Sequence, residues 1–194
     1  MRSENFENNR DLLIKWLHFL FLVQIAGVVI SALSAVQELS SVLSWFSRMV
    51  SVCTIVCLFK MAAVNKRYQN AAIFLCITVG GGVVSVFIGN TILSLIVSIC
   101  SIITAYQEFA AHSDITADKD PVLSRRWHSL FFWQLVIGLL GGFLSVTGVM
   151  LGVFAGAEIP VITSAVLLFV TVMNVIIKII YLKYLSKTIS AYRN

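Results

Sequence analysis

Glu108 and His112 stand four residues apart in a largely apolar stretch, a spacing that puts both side chains on one face of a helix. His18 and His128 lie at the starts of two other apolar stretches, and Asp114, Asp118 and Asp120 follow His112 closely. If the chain folds back on itself, His18, Glu108, His112 and His128 meet at one depth as a candidate polar cluster on the cytoplasmic face. Imidazole and carboxylate together can bind a divalent metal or relay protons. The spacing contains no His-Glu-x-x-His, no nucleophile elbow and no phosphate loop. Polar side chains at helix ends also anchor in the headgroup region, which is the simpler expectation for these four. No catalytic residue, metal or cofactor is expected.

Three further charges, Glu38, Arg48 and Glu158, form a candidate outward polar set that could line an outward-facing cavity. Snorkelling outward to the headgroups is the simpler expectation for Arg48. Gln24, Gln134 and Asn174 are the main strongly polar side chains well inside apolar stretches, and none of the carboxylates is expected at mid-membrane. Coupled transporters usually need an intramembrane ionisable group, so active secondary transport is disfavoured. Small residues recur at small-x-x-x-small spacing, which lets helix backbones approach closely. Gly81, Gly138, Gly142, Gly148, Gly152 and Gly156 are the candidate helix-packing positions. The serines at 41, 44, 51, 94, 98 and 101 are expected to bond to their own helices. Cys53, Cys57, Cys76 and Cys100 lie in apolar windows, where cysteine acts as a small apolar residue.

The elements that must position these groups are written in the composition. The chain has 194 residues, is 59% hydrophobic and only 12% charged, whereas a soluble domain carries roughly 25% charged residues. A spanning helix needs about 20 mostly apolar residues. Six such windows are expected, near 14–35, 41–64, 71–88, 91–111, 127–154 and 161–185. The first is too long for the core of a signal peptide. Gly89-Asn90 favours a tight turn, and Asp120-Pro121 has the residue types that start a helix. The fold class is therefore all-α, a polytopic membrane helical bundle of six transmembrane helices with short loops. Residues 1–194 form a single integral membrane domain.

The basic residues alternate. Arg2, Arg10 and Lys15 precede the first window, Lys66 and Arg67 lie between the second and third, and Lys119, Arg125 and Arg126 lie between the fourth and fifth. Lys183, Lys187 and Arg193 close the chain, and the remaining loops carry no Lys or Arg. Positive charge marks cytoplasmic loops, so both termini are expected to be cytoplasmic in a multi-pass protein of the cell membrane. The net charge of +5 then reads as orientation and not as nucleic-acid binding. Lys60 and Lys178 are expected to snorkel to the cytoplasmic surface. Lys15, His18 and Gln24 are matched at constant offset by Arg125, His128 and Gln134. That echo would make helices 1–2 and 5–6 a parallel internal repeat.

In length, helix number and expected orientation, the chain is similar to the substrate-capture subunits of energy-coupling-factor vitamin transporters. Their Ala-x-x-x-Ala signature has no counterpart on helix 1, where Ile30 stands four residues after Ala26, so no residue roles carry over. The leading functional expectation is a non-enzymatic accessory protein that meets other membrane proteins, or a second copy of itself, through helix contacts in the lipid bilayer. Small-solute transport or capture is the alternative, and a membrane enzyme comes last.

Overall fold

A computed structural model describes residues 2–33, 40–89, 91–155 and 159–193. Within these, side-chain surroundings are described except at 2–9, 40–42, 86, 91, 144–146, 148–155 and 159–167. The described chain is helical: α1 Arg2–Leu33, α2 Ser40–Met61, α3 Lys66–Ile88, α4 Thr91–Thr116, α5 Pro121–Ala155 and α6 Ile159–Arg193. Among the described residues, five stretches are long and apolar enough to cross a membrane: Arg10–Leu33, Leu43–Met61, Lys66–Ser85, Ile92–Thr116 and Leu168–Arg193.

The helices are longer than the apolar windows, and the caps explain where they start. Asn65 is extended at φ −144°, and its side chain accepts from the Arg67 N–H, so α3 begins at Lys66 and absorbs most of the expected polar turn. Asp120 Oδ1 accepts from the Val122 and Leu123 N–H groups at 3.1 and 2.9 Å, starting α5 at Pro121. Gly89 ends α3 at φ 61°, a left-handed conformation that L side chains resist. Residues beyond the apolar windows stay helical because they dock on one another. Arg10 Nε donates to the Tyr192 carbonyl at 2.8 Å, Lys119 Nζ to the Ala191 carbonyl at 3.3 Å, and the Tyr192 hydroxyl to the Ile115 carbonyl. Arg67 pairs with Asp114 at 2.8 Å. The described start of α1, the α2–α3 and α4–α5 turns and the described end of α6 thus share one end of the bundle.

Each helix packs against its neighbours in sequence, and α6 closes back on α1, giving a ring of six. The interior has two storeys. Towards the polar end it is filled by Leu13, Leu17 and Leu20 of α1, Leu58 and Met61 of α2, Tyr68 and Ala72 of α3, Trp127 of α5 and Leu185 of α6, all buried. One or two turns further along the same helix faces, the inward residues become polar: Gln24, Thr54, Thr104, Gln134, Asn174 and Lys178. The outer surface carries exposed apolar side chains such as Leu22, Val52, Ile99, Phe132 and Ile176. In lipid, which is as apolar as these residues, the packed storey would be held by van der Waals fit more than by exclusion of water.

In three of the five consecutive helix pairs, α1–α2, α3–α4 and α5–α6, a glycine faces a valine of the next helix. A Cβ on Gly27 would lie 3.3 Å from Val50, one on Gly81 2.6 Å from Val97, and one on Gly141 2.7 Å from Val170. The close approach of α5 thus falls at Gly141. Gly138 and Gly142, expected to pack, would have nothing within 4 Å of a Cβ. The described interface on α5 thus lies off the longest glycine stripe: Gly138 and Gly142 are both exposed. Gly148, Gly152 and Gly156 lie outside the residues whose surroundings are described.

Candidate functional site

The boundary between the storeys is a hydrogen-bonded chain across α3, α4 and α6. The Tyr181 hydroxyl donates to Glu108 Oε1 at 2.6 Å. His112 Nε2 lies 3.2 Å from the Tyr181 oxygen, and His112 Nδ1 lies 2.9 Å from the Tyr68 oxygen. With Glu108 ionised, these contacts assign each proton. Tyr181 spends its one hydrogen on Glu108, so its oxygen accepts from His112, and Nε2 carries the imidazole proton. Nδ1 is then the acceptor, and Tyr68 donates to it. The 2.6 Å length falls in the range of a hydroxyl donating to a carboxylate. His112 lies stacked on Trp127 with ring centroids 4.6 Å apart and an interplanar angle of 22°. The Trp127 Nε1–H donates to Thr188 Oγ1 at 3.2 Å, so the ring that clamps the imidazole is itself tied to α6.

The chain forms the floor of a set of connected cavities. Two, each of about 220 Å³, share Gln24, Thr104, Glu108 and Lys178 in their walls. One of them also shares Ser101, Ala105, Gln134 and Asn174 with a third of about 480 Å³. Their walls come from four or five helices of the ring, an arrangement available only on its inner side.

Among the described residues, several polar atoms here have no protein partner. Glu108 uses Oε1 and makes no hydrogen bond through Oε2. Lys178 Nζ donates to Ser31 Oγ at 2.7 Å and has two further hydrogens unspent. No ion pair within 4.0 Å joins Glu108 to Lys178, and the side-chain amides of Gln24, Gln134 and Asn174 form no hydrogen bond among the described residues. Yet no buried side-chain nitrogen or oxygen among those residues lacks a partner. The unspent groups are therefore accessible, and all five residues that carry them line one cavity.

This arrangement corrects several expectations. Glu108 is not an anchor at the membrane surface; it lies inside the ring with its side chain 12% exposed. It reaches this depth because α4 continues to Thr116, which puts the helix end two turns beyond Glu108. Lys178 does not snorkel outward: it faces the interior and bonds to α1. His18 is exposed and bonds to its own helix at the Ile14 carbonyl, 2.9 Å away, and His128 is exposed on α5. Neither joins Glu108 and His112, and among the described residues no three His, Cys, Asp or Glu side chains are grouped as a metal site. Arg48 is exposed, 5.0 Å from the Trp45 ring centroid, and lines none of the three central cavities. Glu38 and Glu158 lie outside the described residues. The cavity amides were legible as polar outliers in apolar windows, whereas Tyr68 and Tyr181 gave no sequence signal, since interfacial tyrosines are common in membrane helices.

Comparison of the chain with family models, curated proteins and solved structures finds no match. The class defined by the fold is a helical, membrane-compatible bundle with a polar interior.

Proposed function

We propose that this is a multi-pass protein of the cell membrane, crossing six times, that binds a small polar solute inside its ring of helices for transport or capture, without covalent catalysis. The observation that carries this reading is the set of unspent polar groups around one space: Glu108, Lys178, Gln24, Gln134 and Asn174. In a lipid-spanning bundle an unsatisfied polar group costs several kcal/mol, and amides that only held helices together would bond across them. The two cavities that Glu108 and Lys178 border, each of about 220 Å³, fall below the roughly 300–1,000 Å³ of drug-sized sites, which suits the polar part of a small solute.

The test is Gln134→Leu and Asn174→Leu in protein purified from its host membrane, followed by mass spectrometry of co-purifying small molecules. Solute content should fall while detergent stability stays level or rises. Lost stability with unchanged solute content would refute the reading.

Six crossings with both termini cytoplasmic follow from the alternation of basic residues. Reporter fusions at Asn90 and Ala157 should read as external, and cytoplasmic signals at both would sink that topology. The parallel repeat draws support from burial: Leu13 and Leu123, Leu17 and Trp127, and Leu20 and Leu130 are all buried at the common offset. Gln24 and Gln134 both line the cavity. The accessory-partner reading, by helix contact or self-association in the bilayer, keeps one supporting observation: Gly142 is exposed on α5 with open space around it.

A further inference from the structure

The unspent groups include one carboxylate and one ammonium, and that pairing restricts the ligand. Glu108 and Lys178 border the same two cavities and share Gln24 and Thr104 as neighbours, yet they do not pair. Each is instead held by a neutral hydroxyl: Tyr181 donates to Glu108 Oε1, and Lys178 Nζ donates to Ser31 Oγ. These contacts leave Glu108 Oε2 and two ammonium hydrogens facing the cavity. A lone anion would satisfy Lys178 and meet like charge at Glu108, and a lone cation would do the reverse. A neutral solute would displace cavity water and leave both charges uncompensated. A solute carrying both charges satisfies both.

We infer that the cavity takes a small zwitterion of the α-amino-acid class, with its anionic group on Lys178 and its cationic group on Glu108. The amides of Gln24, Gln134 and Asn174 supply neutral donors and acceptors around that head. Beyond Ser101, Gln134 and Asn174 the larger cavity has apolar walls of Val97, Ile102, Phe131, Leu135 and Leu139. A side chain leaving the charged head enters that space, which favours zwitterions with an apolar tail. This inference rests on the proposed solute-binding function and narrows it to a chemical class.

The experiment uses the full chain in detergent, with binding read by calorimetry and by ligand-induced thermal stabilisation. The probes are the common L-α-amino acids and glycine betaine, with 4-methylpentanoate and isopentylamine as leucine lacking one charge, and glycerol as a neutral polar solute. At least one zwitterion should bind, and removing either charge should weaken binding by about tenfold or more, the worth of a hydrogen bond to a charged group. Glu108→Gln should abolish the preference for a probe with the amine, and Lys178→Gln the preference for one with the carboxylate. Binding of a singly charged probe as tightly as its zwitterion, or of glycerol in preference to every zwitterion, overturns the class while leaving solute binding standing. No binding by any probe of any charge overturns both. The comparison among probes is made on the unaltered protein, so a variant that fails to fold does not remove the test.

Discussion

The proton positions in the Tyr68–His112–Tyr181–Glu108 chain predict unequal costs for two otherwise similar substitutions. Tyr68→Phe removes one oxygen from a fully buried ring and keeps its shape, so no cavity opens. It leaves a single orphan, the His112 Nδ1 acceptor, at about 1–3 kcal/mol for a buried unsatisfied group. Tyr181→Phe leaves two, because the His112 Nε2–H loses its acceptor and Glu108 Oε1 loses its donor. Two such penalties come to about 2–6 kcal/mol. The lower half of that range is expected, since Glu108 borders the cavity and water can replace part of the lost bond. The assay is unfolding of both variants in one detergent, paired with nitrogen-15 chemical shifts of His112 in the unaltered protein. The shifts should report a proton on Nε2 and a bare Nδ1. A proton on Nδ1, or a Tyr68→Phe cost equal to or above that of Tyr181→Phe, would falsify the assigned direction of the chain.

Other expectations concern the frame. Gly81→Ala should cost about 1–3 kcal/mol through overpacking against Val97, where the new Cβ would lie 2.6 Å from a methyl. Gly82→Ala, in open space, should gain up to about 1 kcal/mol in helix propensity. Adding Val97→Ala should relieve Gly81→Ala, and unfolding measurements that show no such rescue would mean the two helices do not meet there. Asp120→Ala should cost about 0.5–2 kcal/mol by leaving the Val122 and Leu123 N–H groups uncapped, read as a lower midpoint of thermal unfolding.

The all-helical fold was legible because hydrophobic length and turn residues are local. Gly89 and Asp120 act where their types implied, at the end of α3 and the start of α5. The helix ends were not legible, because residues such as Arg10 and Thr188 remain helical through partners far away in sequence. The same limit applied to the site. Glu108 and His112 were recognisable as one helical face, but the partner of each proved to be a tyrosine on another helix. His18 and His128 share a sequence neighbourhood type with His112 and nothing else, since their helix faces turn outward. Lys178 misled because a long cation near a helix end can snorkel or point inward at similar cost, and only the position of Ser31 decides between them. On α5 the longest glycine row suggested the contact face, whereas the contact falls one position away at Gly141.

Ring closure gives this protein an order of assembly. Most of the contacts that make the ring join helices adjacent in sequence and can form hairpin by hairpin, whereas the seam between α1 and α6 joins opposite ends of the described chain. Asn174, Lys178 and Tyr181 all stand on α6. Until that helix arrives, Glu108 has no hydroxyl to hold it, and Gln24 and Gln134 face a half-built wall. A molecule that bridges α4 and α6 binds the closed ring and not its open precursor, so it draws the equilibrium toward closure by mass action. The solute would then act on the newly made protein as a folding ligand, and starving cells of it should leave more chains with an open seam, detectable as faster proteolysis at the α1–α6 edge.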